Sequence, residues 1–193
     1  MDLTLIYKKN IKYSKKKLMK KIGIIGCGIS GLYLANILNN NPEFDYKIFE
    51  KRNDLNLLNG YGIQLSVNCT KLLNKIGLNN LDTSELYFPS KVNFFQSNNY
   101  KKICDIDLTQ FNEGLDRYTT MKRSTLLKLL LQKIPKDKIK FNTTLTNLEN
   151  DNNIKAIFSD NSSENFDFLI IADGVFSQSK SIVFNENLKP KYN

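Results

Sequence analysis

Lys20-Lys21-Ile22-Gly23-Ile24-Ile25-Gly26-Cys27-Gly28-Ile29-Ser30-Gly31-Leu32-Tyr33-Leu34-Ala35 reads as an apolar strand, a glycine-rich turn and the opening of an apolar helix. Gly26, Gly28 and Gly31 stand in the spacing G-x-G-x-x-G. The first glycine allows a tight turn off the strand, the second lets a pyrophosphate approach the backbone, and the third brings helix and strand close together. The amides near Gly28, Ile29 and Ser30 then face an anion with the positive end of the helix dipole. A strand before the pattern and a helix after it are the context a dinucleotide site needs.

Working outward, a helix is expected over about Ser30–Asn39, a turn at Asn40-Asn41-Pro42 and a strand over Tyr46–Glu50, which together begin a βαβ unit. Glu50 falls roughly 20 residues beyond the glycines, where a carboxylate accepts from the ribose hydroxyls of a bound adenosine. Negative charge there repels a 2′-phosphate, so NAD or FAD is favoured over NADP. Lys51, next in the chain, is counted with Glu50 among the cofactor-binding candidates. These residues alone do not separate NAD from FAD. Cys27 is a small residue filling an x position of the turn.

Farther on, Leu65–Ile76 reads as a helix stopped by Gly77, and Arg123–Ile134 as an amphipathic helix ended by Pro135. Strand-like pieces occur at Lys91–Gln96 and Ile103–Leu108. Short strands follow at Ile139–Asn142, Thr144–Glu149 and Ile154–Ser159, the last ones separated by turn residues as in a β-meander. Phe166–Ala172 is a continuous apolar run that suits a strand buried on both faces.

Composition narrows the function. The chain has 193 residues, 41% of them hydrophobic, and no apolar run near the roughly 18 residues of a membrane span. Three scattered cysteines make neither a disulfide framework nor a zinc cluster, and a reducing, cytoplasmic setting is expected. The formal charge is +9, but six lysines against Asp2 give residues 1–18 a charge of +5, leaving +4 for Met19 to Asn193. With only three arginines and no aromatic-interleaved basic patch, nucleic acid is not an expected partner. Residues 1–18 read as an appendage ahead of Met19, which is favoured as the start, with a disordered basic N-terminal extension as the alternative, and 19–193 read as one domain. There is no histidine, which excludes an imidazole base, a Ser-His pair and a histidine metal ligand. If the chain takes part in catalysis, a cofactor is expected to carry the chemistry.

Three later segments carry a resemblance. Gly60-Tyr61-Gly62-Ile63-Gln64-Leu65-Ser66-Val67-Asn68, running on to Leu72-Leu73-Asn74-Lys75-Ile76-Gly77-Leu78, resembles the GxGIxLxxNxxxxLxxxGL segment of flavoprotein monooxygenases of the para-hydroxybenzoate hydroxylase type. Met121-Lys122-Arg123-Ser124-Thr125-Leu126 resembles that family's hxRxxL helix start, whose arginine lies on the FAD. Leu169 to Lys180, with Asp173-Gly174, resembles its ADGxxSxxR motif, in which the aspartate is associated with the FAD pyrophosphate and with NAD(P)H use.

The resemblance covers Lys20 to about Lys189, departing where Lys180 stands for arginine and where a later Gly-Asp pair of the family is absent. It implies an α/β fold: a Rossmann-like FAD-binding domain with a parallel sheet and crossover β-meander. The start of a mixed substrate-domain sheet is implied around 85–118, and the whole reads as an N-terminal fragment. It further implies FAD as cofactor, NAD(P)H as electron donor, and oxygen and a small, aromatic substrate as reactants. Gly26, Gly28, Ile29, Ser30, Gly31, Glu50, Lys51, Arg123, Asp173 and Gly174 are the implied cofactor contacts, with no acid–base residue. Another FAD-dependent oxidoreductase, of the lipid reductase type, or a non-catalytic nucleotide-binding fragment are the alternatives.

Overall fold

The computed structural model describes residues 5–8, 19–55, 57, 61–150 and 153–184. In chain order its elements are β1 (Leu5–Lys8), β2 (Lys20–Ile25), α1 (Ile29–Asn39), β3 (Phe44–Phe49), β4 (Gly62–Leu65), α2 (Val67–Asn74), β5 (Leu86–Tyr87), β6 (Lys91–Phe95), β7 (Lys102–Asp107), β8 (Thr119–Lys122), α3 (Arg123–Leu131), β9 (Ile139–Lys140), β10 (Leu145–Asn150), β11 (Ile154–Phe158), β12 (Ser163–Phe166), β13 (Phe168–Ile171) and α4 (Ser179–Phe184). They fall into two compact units, the first comprising 1–56 and 130–193 and the second Leu57–Leu129. The insertion expected over about 85–118 lies inside the second.

The first unit is built on a five-stranded sheet in the order β1-β13-β2-β3-β9. β13, β2, β3 and β9 run parallel, and β1 adds to the edge antiparallel to β13. The parallel sheet is the one expected. The edge strand is a correction to residues 1–18, which were expected to carry no structure; the rest of that extension lies outside the described residues.

Alternation in β2 assigns its two faces. α1 lies over the face that carries Ile24, which is fully buried with Leu32 and Ala35. Asn36 is also buried in α1, and its Nδ2 donates to the carbonyls of Leu32 (2.9 Å) and Leu130 (2.7 Å). On the other face, Ile25, Phe49, Leu169 and Ile171 pack against Leu145, Ile154, Ala156, Phe158 and Phe166 of the antiparallel meander β10-β11-β12. Phe49 stacks on Phe158 with ring centroids 4.1 Å apart and meets Phe166 edge-on at 5.9 Å. The layers are therefore helix, parallel sheet and meander, as a crossover meander requires.

The apolar run Phe166–Ala172 was expected as one strand and is two. Phe166 closes the meander in β12, and β13 begins in the parallel sheet at Phe168. Asp167 makes the passage: its N–H donates to Lys21 O (2.9 Å), while its carboxylate accepts from Lys21 N–H (2.9 Å) and Lys20 Nζ (3.1 Å). Local hydrogen bonding at one polar residue outweighs the continuous apolar pattern.

In the second unit β4, β8 and β5 form an antiparallel sheet with Leu65, Thr119 and Met121 buried on one face. β6 and β7 form a separate hairpin close to the expected strand-like pieces. α2 starts two residues later than the helix expected from Leu65, because Leu65 pairs with Thr119 as the end of β4. α2 ends at Asn74, and Gly77, three residues on, has φ +104°, a left-handed conformation suited to glycine. Among the described residues no helix is long and apolar enough to cross a membrane.

Candidate functional site

Three turns meet at the carboxyl ends of β2, β3 and β13, where open α/β sheets gather their ligands. The turn after β2 is fixed by Gly26. Its φ of +106° is left-handed, and a Cβ there would lie 2.5 Å from Ala172 O and 2.8 Å from Asp173 Cα. Gly26 N–H donates to Phe49 O and Ala172 N–H to Ile25 O, both at 2.8 Å, so the sheet ladder runs up to the turns. Gly26 thus brings the glycine motif directly against the Asp173-Gly174 turn. Only a residue without a side chain permits that approach.

Gly31 performs a similar task one helical turn on. A Cβ would stand 2.1 Å from Gly26 O, so α1 closes onto the turn only because nothing is there. Gly28 differs: an added Cβ would meet no atom within 4 Å, and the backbone is open on that side. It is the N-cap of α1 in extended conformation, with no side chain capping it. The first-turn amides, including Ile29 and Ser30, have no intrahelical acceptor. The three glycines thus divide between building the turn (Gly26, Gly31) and leaving it accessible (Gly28).

Glu50 follows β3 and is 8% exposed. Its Oε2 accepts from Cys27 N–H (2.9 Å) and its Oε1 from Arg52 N–H (3.0 Å). Its own N–H donates to Lys140 O, and its carbonyl accepts from Thr143 N–H, both at 2.9 Å. Lys51 is exposed beside it. Cys27 is buried, and burial first, with the Glu50 charge second, pushes its thiol up to about 12. A thiol held neutral in this way is a spacer, as its position in the sequence suggests.

Asp173 and Gly174 follow β13. Asp173 Oδ2 accepts from Ser179 N–H (3.2 Å) at the start of α4, and Ser177 Oγ accepts from Lys180 N–H (3.1 Å). Asp173 Oδ1 is buried with no hydrogen-bond partner among the described residues. Such an oxygen is costly unless a hydroxyl, an N–H or a water completes it. Gly174 has φ +86° with open space around it.

Of the implied contacts, Gly26, Gly28, Ile29, Ser30, Gly31, Glu50, Lys51, Asp173 and Gly174 belong to the first unit. Arg123 belongs to the second, where it opens α3 and its N–H donates to Tyr61 O (3.0 Å). Gly60, the first residue of its companion segment, lies outside the described residues. Sequence reasoning did not find the bond from Cys27 N–H to Glu50. No spacing signals it, because a backbone donor carries no residue type.

No protein-family model matches the chain. It is 30% identical over 169 residues to the FAD-dependent monooxygenase dpasE of Apiospora sacchari, covering 82% of this chain and 34% of that protein. It is 25% identical over 178 residues to 6-hydroxynicotinate 3-monooxygenase of Pseudomonas fluorescens, covering 89% and 45%. The chain therefore spans less than half the length of these curated relatives. Its fold is similar to that of 2,6-dihydroxypyridine-3-hydroxylase from Arthrobacter nicotinovorans, with a TM-score of 0.71 at 16% identity over 90% of this chain and 41% of that one. The chain is thus similar in sequence to proteins named as monooxygenases and similar in fold to a pyridine hydroxylase.

Proposed function

We propose that this chain is the FAD-binding part of a monooxygenase that uses NAD(P)H and oxygen to hydroxylate a small aromatic substrate. One observation carries the reading. The open backbone at Gly28 and the unpartnered, buried Asp173 Oδ1 lie on turns that touch each other through Gly26. A ligand with a pyrophosphate and a polyol chain supplies what both lack: anionic oxygens for the free amides and a hydroxyl for the carboxylate.

The amides of Gly28, Ile29 and Ser30 bind the pyrophosphate, aided by the helix dipole. Glu50 faces the adenosine ribose with Lys51 beside it. Asp173 and Gly174 border the pyrophosphate on the other side, and Arg123 contributes a planar fork of donors to the anionic cofactor. When bound, the flavin supplies the redox chemistry, taking electrons from NAD(P)H and delivering them to oxygen. None of these residues moves a proton in the reaction; they bind and orient. Two names among the relatives, a hydroxynicotinate monooxygenase and a dihydroxypyridine hydroxylase, favour a small aromatic ring as substrate.

Purification of the chain tests the reading. A flavin absorption spectrum, or quenching of flavin fluorescence on adding FAD, is expected, followed by oxygen-dependent NAD(P)H oxidation in the presence of hydroxylated pyridines or benzoates. A colourless protein that takes up no added FAD overturns the cofactor assignment. Flavin uptake with no oxygen-dependent turnover favours the alternative of a nucleotide-binding fragment that is not catalytic on its own.

A further inference from the structure

We infer that Glu50 is a positioning residue that fixes the glycine turn through the Cys27 amide, in addition to facing a ribose. The inference rests on the cofactor reading for its consequence but not for its geometry.

Two features single Glu50 out. Its carboxylate is almost wholly buried, yet each oxygen meets a backbone N–H: Oε2 that of Cys27 (2.9 Å) and Oε1 that of Arg52 (3.0 Å). Both bonds are charge-assisted, the stronger class of hydrogen bond. The Cys27 bond also joins segments 23 residues apart, since Cys27 lies in the turn after β2 and Glu50 at the end of β3, whereas the Arg52 bond is local.

The consequence for the turn follows from its surroundings. Cys27 sits between two glycines, which offer the backbone the widest conformational choice of any residue. The Gly26 side is held by packing against Ala172 and Asp173, and the Gly28 carbonyl accepts from Leu32 N–H (2.9 Å), which leaves the Cys27 amide between them to be fixed by Glu50. Glu50 is therefore the anchor at the middle of the turn. Its own backbone is held at Lys140 and Thr143, so the anchor is rigid. Because its oxygen takes the Cys27 N–H, that amide is removed from the set facing the ligand, and the ones beyond it stay aimed outward. Each carboxylate oxygen keeps a further lone pair, so the clamp and a ribose contact are compatible.

Amide measurements on the full chain without any ligand test this directly. In the wild type, a scalar coupling through the hydrogen bond is expected between the Cys27 amide nitrogen and the Glu50 carboxyl carbon. Glu50→Gln should raise the Cys27 amide exchange rate by about tenfold or more, the loss of one charge-assisted bond. Glu50→Asp, which retracts the carboxylate by one methylene, should do the same, while amides within β2 and β3 keep their protection. Absence of the coupling in the wild type overturns the inference, and that measurement needs no variant to fold. So does a Cys27 exchange rate unchanged in both variants, the result expected of a residue that only meets ribose. Neither readout involves FAD. Failure of the wild type to bind flavin would sink the cofactor reading and leave the clamp to be judged on exchange alone.

Discussion

Gly28 and Gly31 are identical in chemistry and opposite in what a methyl group would do to them. At Gly31 the methyl would press on the Gly26 carbonyl, which is backbone and has nowhere to go. Gly31→Ala is expected to lose about 1–3 kcal/mol of stability in urea unfolding, the range of an overpacked site, and to lose flavin binding with it. At Gly28 the methyl enters open space, and the fold loses at most about 1 kcal/mol, the difference between glycine and alanine at an N-cap. Flavin affinity should nevertheless fall by about tenfold or more, because the methyl occupies the approach of the pyrophosphate. Equal flavin affinity in Gly28→Ala and the wild type would remove Gly28 from the site. Cys27, between them, gives a pH test. Its thiol titrates from an ordinary value of 9.0 when unfolded but near 12 when folded. Between those values the unfolded chain releases a proton that the folded chain keeps, so wild-type stability declines with rising pH. Relative to Cys27→Ala, the wild type should lose stability from pH 9 towards 12 and show a constant difference below it. A difference that stays flat through that window would contradict the burial of the thiol.

Each element was legible to the extent that one pattern governed it. The strand, turn and helix of residues 22–39 follow from hydrophobic periodicity and glycine spacing, and all three appear where expected. The apolar run at residues 166–172 misled, since periodicity registers burial but not which sheet provides it. Phe166 and Leu169 are both buried, on strands of different sheets, and only the bonds of Asp167 to Lys20 and Lys21 separate them. β5, with two residues, and β8, with four, lack the length for a pattern and exist through pairing with each other and β4. At the site, glycines and acids announced themselves by spacing, whereas the Cys27 amide did not. The energetic weight of the elements is equally uneven. Phe158 is 1% exposed and stacked on Phe49 between meander and parallel sheet, so Phe158→Ala should cost about 3–5 kcal/mol in urea unfolding. Phe94 in the β6–β7 hairpin is 44% exposed, and Phe94→Ala should cost within about 0.5 kcal/mol, as surface changes do. Similar costs at both positions would mean that the layered core is not where the stability lies.

For the whole molecule, a ligand that binds only the folded chain must raise the unfolding temperature by mass action. At a hundred times its dissociation constant, FAD should add about 2.7 kcal/mol, or roughly 5–10 °C for a chain of this size. ADP, which carries the ribose and pyrophosphate without the flavin, should give a smaller rise. ADP bearing a 2′-phosphate should give less again, because Glu50 places a buried carboxylate at the ribose end of the proposed site. The nine proposed contacts of the first unit can produce such a shift unaided; Arg123, in the second, is the one whose contribution can be isolated. Its backbone N–H is held by Tyr61 O whatever the side chain, so Arg123→Ala should leave the ligand-free transition nearly in place. If the guanidinium binds the cofactor, the FAD-induced rise must shrink in that variant, and restoring charge with Arg123→Lys should recover only part of it, since an ammonium cannot reproduce a planar two-pronged donor. A rise in Arg123→Ala equal to that of the wild type would confine flavin binding to the first unit and assign Arg123 to the start of α3 alone.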